Sequence, residues 1–502
     1  MQAKLYLKNA ALLTLSGVAL RVLGMVFRVL IAAHLGSEGM GLYQLILAVN
    51  MVFVSLASAG INVASTRLAA QSLARGRGMA QTLRGLCCAA ALLGTLAMLA
   101  QFALADPLAR FVLHDARAEL GLRVLAPSLP FIAVAGAIRG CFLARRRVEP
   151  NILAQLIEQG VRMAVVAVAL LRYGHWGAGY ACGAVFLGNS ISEAVSCGIM
   201  LLFAKKEKAF AVKPGDPARG YANRELAAIV LPVGGGRILG SALQAIESSL
   251  IPLCLAMFLG ERGLAVAQYG ALKGMALPLI FFPFSVLAAL SGLLMPEITR
   301  AYTRKDTAGT ARLIDSMMRV TGLFSALAGV GLVLFGRELS LLLYHDAQVG
   351  IYVQLLGFVA PFMYLESMVD GVLKGLGEQM ATFRYSVADS AVRILGIVLL
   401  VPRYGMPGFL AVMVASNLIT CALNTLRMLH STQIHIHWGQ WVGLPLLLAL
   451  CGGGAALGVG LLEWGGWPQL IAQGLALCGG YFLPLLLAPG WRRQALALLH
   501  KK

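Results

Sequence analysis

Residues 10–36 read AALLTLSGVALRVLGMVFRVLIAAHLG, an apolar run that carries Arg21 and Arg28 in its interior. About 20 apolar residues in a helix suffice to cross the hydrocarbon core of a bilayer. A guanidinium near the middle of that core costs about 3 kcal/mol or more, so such a residue normally faces a polar cavity inside a helix bundle. The two arginines are seven positions apart, two helical turns, which puts them on one face about 10 Å from each other. Gly17 and Gly24 lie on or near that face and leave room for another group. The stretch reads as one wall of a membrane-embedded cavity for something negatively charged. Arg28 lies only a turn or two from the helix end and has a second option, snorkelling to the headgroups.

The rest of the chain repeats this apolar character. Of 502 residues, 59% are hydrophobic and 13% charged, against about 25% charged in soluble domains. The class is an all-α polytopic membrane protein with about fourteen transmembrane spans, and the N-terminal run is expected to be the first span, not a cleaved signal. A net charge of +19 would suggest nucleic acid in a soluble chain. Here Lys and Arg collect in alternate loops, 25 on one side and 6 on the other. That asymmetry is the positive-inside pattern and predicts a cell-membrane protein with both termini cytoplasmic. The nine cysteines form no C-x-x-C pair, and His435-x-His437 has no carboxylate or thiolate beside it, so no metal site is expected.

An internal repeat organises the spans. His114-Asp115-Ala116 recurs as His345-Asp346-Ala347, Pro130-Phe131 as Pro361-Phe362, and Val161-Arg162 as Val392-Arg393, every pair offset by 231. Leu35-Gly36 matches Leu259-Gly260 more loosely. Six spans per repeat is an even number, so the two halves run the same way through the membrane. The expected organisation is a six-helix lobe at 1–222, a second at 223–430, and two further helices with a basic tail at 431–502. Two parallel lobes around a central cavity suit alternating access.

Charged and helix-weakening residues within the spans are the candidate functional groups. Span 7 carries Pro232 and Gly234, Gly235 and Gly236, a hinge candidate, with Glu247 beyond them. Lys273 lies in span 8. Glu158–Arg162 and Asp389–Arg393 are i,i+4 pairs of opposite sign at equivalent repeat positions, read as structural or cavity charge pairs. Glu193, Arg237, Glu366 and Asp370 also fall at membrane depth. No P-loop for ATP is present, and the outer loops are too short to build a catalytic domain.

Several stretches resemble one family. LGSEGMGLYQL at 35–45, QLIEQGVR at 155–162, AIESSLIP at 245–252 and YGALKGMALPLIFFPFSVLAALS at 269–291 look like the stage V sporulation protein B family. That family lies in the multidrug/oligosaccharidyl-lipid/polysaccharide exporter superfamily, whose MurJ-like members are lipid II flippases with two extra C-terminal helices. The resemblance implies that Arg21, Arg28 and Lys273 hold the diphosphate of a lipid-linked oligosaccharide, although Arg28 falls one residue late and no arginine occupies span 2. It also implies that Glu247 and Asp389 serve a coupling ion, Na+ or H+, and that cell-wall polymerases receive the product in peptidoglycan or spore-cortex synthesis. A drug antiporter of the same superfamily is the nearest rival, although an exporter of organic cations calls for an acidic cavity. A membrane-embedded glycan polymerase or ligase is a second rival.

Overall fold

The computed structural model describes residues 2–58, 60–75, 79–207, 210, 223–434, 437–462 and 465–487. Most of the basic loop at 205–224, the basic tail and His435 lie outside them. The described residues form helices and no strand. In chain order these are α1 (Gln2–Ser58), α2 (Ile61–Ala74), α3 (Met79–Pro107), α4 (Ala118–Leu125), α5 (Ser128–Ala144), α6 (Glu149–Tyr173), α7 (Ala178–Lys206) and α8 (Asn223–Leu259). Then come α9 (Arg262–Tyr269), α10 (Leu277–Thr303), α11 (Thr307–Tyr344), α12 (Ala347–Gly357), α13 (Ala360–Gly375), α14 (Gln379–Thr432), α15 (Leu444–Gly460) and α16 (Gly466–Leu487).

Counted as continuous apolar helices, the described residues give 11 candidate spans, or 12 if the α12–α13 pair, bent by 62°, is one span. The count of about fourteen depends on where long helices are divided. The 57 residues of α1 would extend about 85 Å if straight, far beyond the roughly 30 Å hydrocarbon core. Gly36 interrupts it with φ 65° and ψ −175°. Gly405 interrupts the 54-residue α14 in the same way, with φ 62°. These are left-handed backbone positions that favour glycine. By contrast, α8 runs through Pro232 and Gly234–Gly236 without interruption. Helix-weakening residues are tolerated in membrane helices because neighbouring groups re-satisfy the backbone.

The internal repeat is visible in the backbone. His114 and His345 both take positive φ, 52° and 56°, an uncommon conformation for a residue with a side chain. Each ends a helical stretch. The aspartate that follows captures an amide of the next turn: Asp115 accepts from Arg117 N at 3.0 Å, and Asp346 from Gln348 N at 2.8 Å. The repeated His-Asp-Ala is therefore a repeated stop-and-cap signal.

Contacts group the chain into two compact units, Met1–Gly270 with Ser390–Phe409, and Ala271–Asp389 with Leu410–Lys502. This grouping differs from the repeat boundary at 222/223, because α8 and α9 pack with the N-terminal helices. In the first unit α1 is buried around its whole circumference from Gly39 to Tyr43, and Ile31, Leu45 and Ile46 are buried as well. Here α9 meets α1 backbone to backbone. A Cβ added to Gly41 would lie 2.1 Å from the Val266 carbonyl oxygen, and one on Gly270 would lie 2.0 Å from the Ser37 carbonyl oxygen. In the second unit, α15 and α16 dock on α11 through Ala326, Leu448, Ala449 and Tyr481. Tyr481 donates its hydroxyl to the Leu323 carbonyl at 2.7 Å, and Trp441 Nε1 donates to Asp315 at 2.8 Å. These bonds satisfy the polar ends of the two rings while their apolar bodies pack.

Candidate functional site

Along the first half of α1 the face that carries Arg21 and Arg28 is continued by buried Ala32 and Leu35, while the apolar Val22 and Val26 are exposed. Phe27, Ile31, Ala32 and Leu35 are buried, whereas Arg21 is exposed and Arg28 half-buried. Within 4 Å of a Cβ built on Gly17 or Gly24 there is nothing. No described side chain therefore packs against the two glycines that precede Arg21 and Arg28 by one turn, which leaves that face of the apolar helix accessible to an anionic group. Arg237 on α8 is also exposed. The second half of α1 is tied to α8 by a Ser55–Ser241 hydroxyl pair at 2.6 Å. Lys273 belongs to the second unit, half-buried in a π-helical stretch, Gly270–Ala276, between α9 and α10. Such wide turns recur at functional sites.

Glu158 and Arg162 form the pair read from their spacing, at 2.6 Å. The pair is part of a larger network. Arg139 on α5 bonds the other oxygen of Glu158 at 3.0 Å and the Ser196 hydroxyl at 2.9 Å. Arg162 also meets Glu193 at 3.4 Å, the Ser192 hydroxyl at 3.2 Å and the Gln159 side-chain amide oxygen at 3.1 Å. Three helices contribute two arginines and two glutamates that neutralise one another. Arg139 and the serines were not evident from spacing, because they come from other helices.

Glu247, 4% exposed at its side chain, is paired with Arg393 at 3.1 Å. Sequence spacing offered Arg393 only a partner on its own helix; Glu247 lies 146 positions earlier. In the second unit Asp389 accepts a hydrogen bond from the Ser416 hydroxyl. Glu366 accepts from Asn424 at 3.2 Å, and Asp370 pairs with Lys374 at 2.5 Å. Among the described residues no cluster of His, Cys, Asp or Glu has the makings of a metal centre.

Two ion-pair clasps flank these networks. Glu207, just beyond α7, holds Arg145 at 2.8 Å and also Arg147. Hydrogen bonding from Arg145 above all, then the charges of Arg145 and Arg147, keeps the Glu207 carboxyl below its usual range. Glu378, before α14, takes a two-pronged bond from Arg427 at 2.8 and 3.0 Å, and Ser431 joins at 3.1 Å. Arg427 chiefly holds that carboxyl low as well.

Stage V sporulation protein B of Bacillus subtilis (strain 168) is 25% identical over 468 residues, spanning 90% of this chain and 89% of that protein. A structure of the lipid II flippase MurJ in an inward closed conformation superposes with a TM-score of 0.71 at 14% identity, covering 97% of this chain and all of that one. An inward-facing multidrug resistance MATE family transporter of the MOP superfamily gives 0.66 at 14% identity, covering 84% of this chain and 96% of that one. A 97% match leaves too few residues aside to exclude the appended pair α15–α16. The fold is that of MOP-superfamily transporters. The family model for polysaccharide biosynthesis proteins matches residues 6–290, more than half of the sequence, and the chain belongs to that family.

Proposed function

We propose that this protein is a flippase that moves a polyprenyl-diphosphate-linked saccharide, lipid II or a close relative, from the cytoplasmic to the outer leaflet by alternating access. The observation that carries this reading is the face of α1 that bears Arg21 and Arg28 in an apolar helix, each one turn beyond a glycine against which no described side chain packs. Lys273 is the proposed third cation. A lysine there offers a point charge in place of an arginine's two-pronged fork. With both termini cytoplasmic, each negative charge carried outward against an inside-negative potential gains about 2.3 kcal/mol per 100 mV. A diphosphate of roughly two charges gains about twice that, so ATP is not needed.

The stage V sporulation protein B relationship supports a cell-envelope substrate, with cell-wall polymerases downstream. Coupling to Na+ or H+ would act through Glu247 and Asp389. Because Glu247 is paired with Arg393, an ion arriving there competes with the guanidinium and releases it. Normal, still ion-dependent transport by Glu247→Gln would end that idea.

The deciding experiment is translocation of labelled lipid II in cells depleted of their own flippases. Wild type should rescue. Arg21→Ala should reach the membrane yet lose transport by about 30-fold or more, the scale of an unpaired buried anion. Failure of wild type, together with drug resistance on expression, would favour the antiporter reading instead.

A further inference from the structure

The hairpin between α10 and α11 bears an open cleft of about 410 Å³, of mixed polar and apolar lining, that the transport reading does not use. Its walls include Glu297, Arg300, Arg304, Asp306, Arg312 and Leu313. Each of the two acids already has a partner on the same wall. Glu297 pairs with Arg300 at 3.0 Å. Asp306 caps the 38-residue α11, accepting from Gly309 N at 2.8 Å. Arg312 spends only its Nε, on the Ala308 carbonyl one turn back, at 3.2 Å. Among the described residues Arg304 and Arg312 have no carboxylate partner. Two guanidiniums with unspent N–H groups therefore converge on a cavity of the size that small ligands occupy, roughly 300–1,000 Å³. Both bounding helices are apolar spans, so the cavity lies where a bilayer's headgroups lie, with Leu313 on its wall. Basic pockets between spans at the cytoplasmic surface are suited to anionic headgroups.

We propose that this cavity is a binding site for the phosphate of an anionic glycerophospholipid headgroup. The guanidinium fork matches a phosphate's oxygens, and the lipid's tail stays in the bilayer beside the hairpin.

Native mass spectrometry of the full-length protein tests this by titration with phosphatidylglycerol, phosphatidylcholine and inorganic phosphate. Phosphatidylglycerol should bind at least about 10-fold more tightly than the other two. Each arginine near the surface is worth about 1 kcal/mol toward an anionic lipid. Arg304→Ala and Arg312→Ala should therefore weaken binding about 5-fold singly and about 25-fold together. Both side chains are exposed, so folding should be unaffected. Arg84→Ala, another exposed arginine in an expected cytoplasmic segment, should change nothing. An equal loss with Arg84→Ala would overturn the proposal in favour of diffuse surface charge. Equal affinity for inorganic phosphate would overturn the lipid as its ligand.

Discussion

Of four equivalent positions, the two repeats keep the charge at two and change it at the other two. Adding 231 to Arg139, Glu158, Arg162 and Glu193 gives Asp370, Asp389, Arg393 and Asn424. The first set closes on itself: Glu158 bridges two arginines and Arg162 reaches Glu193. The second set reaches other groups. Asp370 goes to Lys374, Arg393 to Glu247, Asn424 to Glu366, and Asp389 accepts a serine hydroxyl. A duplicated scaffold has thus kept the positions and parted the roles. A closed network of opposite charges is a staple. Where a carboxylate accepts from a hydroxyl or an amide, as Asp389 and Glu366 do, an arriving cation has a neutral donor to displace.

The largest expected effect comes from opening the closed set. Glu158→Ala leaves Arg139 and Arg162 without their shared carboxylate, and should cost about 3 kcal/mol or more in unfolding experiments in detergent. Asp389→Asn keeps an acceptor for Ser416 and should cost less than Glu158→Ala. Equal losses would erase the distinction between the two regions.

A functional contrast sharpens it. Asp389→Asn should abolish the dependence of transport on a Na+ or H+ gradient, whereas Glu193→Gln should leave that dependence intact. Flux measured in proteoliposomes with imposed gradients separates the two, and a reversed result would move ion coupling to the first repeat.

The smallest effect concerns the clasps, whose polarity is inverted. Arg147 and Glu378 are 231 positions apart; the first reaches Glu207 and the second Arg427. Both carboxylates are depressed in the folded chain. Each therefore adds stability above its unfolded pKa, and that contribution fades as pH falls through the folded value. Melting temperature should drop modestly on acidification, and Glu207→Gln should flatten part of that drop. An unchanged acid profile would show that the clasp is idle. Exposed ion pairs contribute little, so this difference should fall well below that of Glu158→Ala.

What was legible in the sequence followed the range of each signal. Apolar runs of bilayer length and the offset of 231 are written in one dimension, and so is an i,i+4 pair such as Glu158–Arg162. Arg139 and Glu247 find their partners on other helices, where helical periodicity carries no information. Long helices also hid their own divisions: Gly36 and Gly405 bend the chain within a turn, so apolar continuity and span count part company. At Pro232 and Gly234–Gly236 local composition marks a hinge candidate, and the helix is continuous through it.

The contact of Gly41 and Gly270 with the facing backbone bears on insulation. Atoms that close leave no width for a file of water between α1 and α9. A transporter driven by membrane voltage would short-circuit its own supply if protons or ions slipped past while the lipid moved. Two missing side chains act here as a gasket, and a methyl group at either glycine would wedge it ajar.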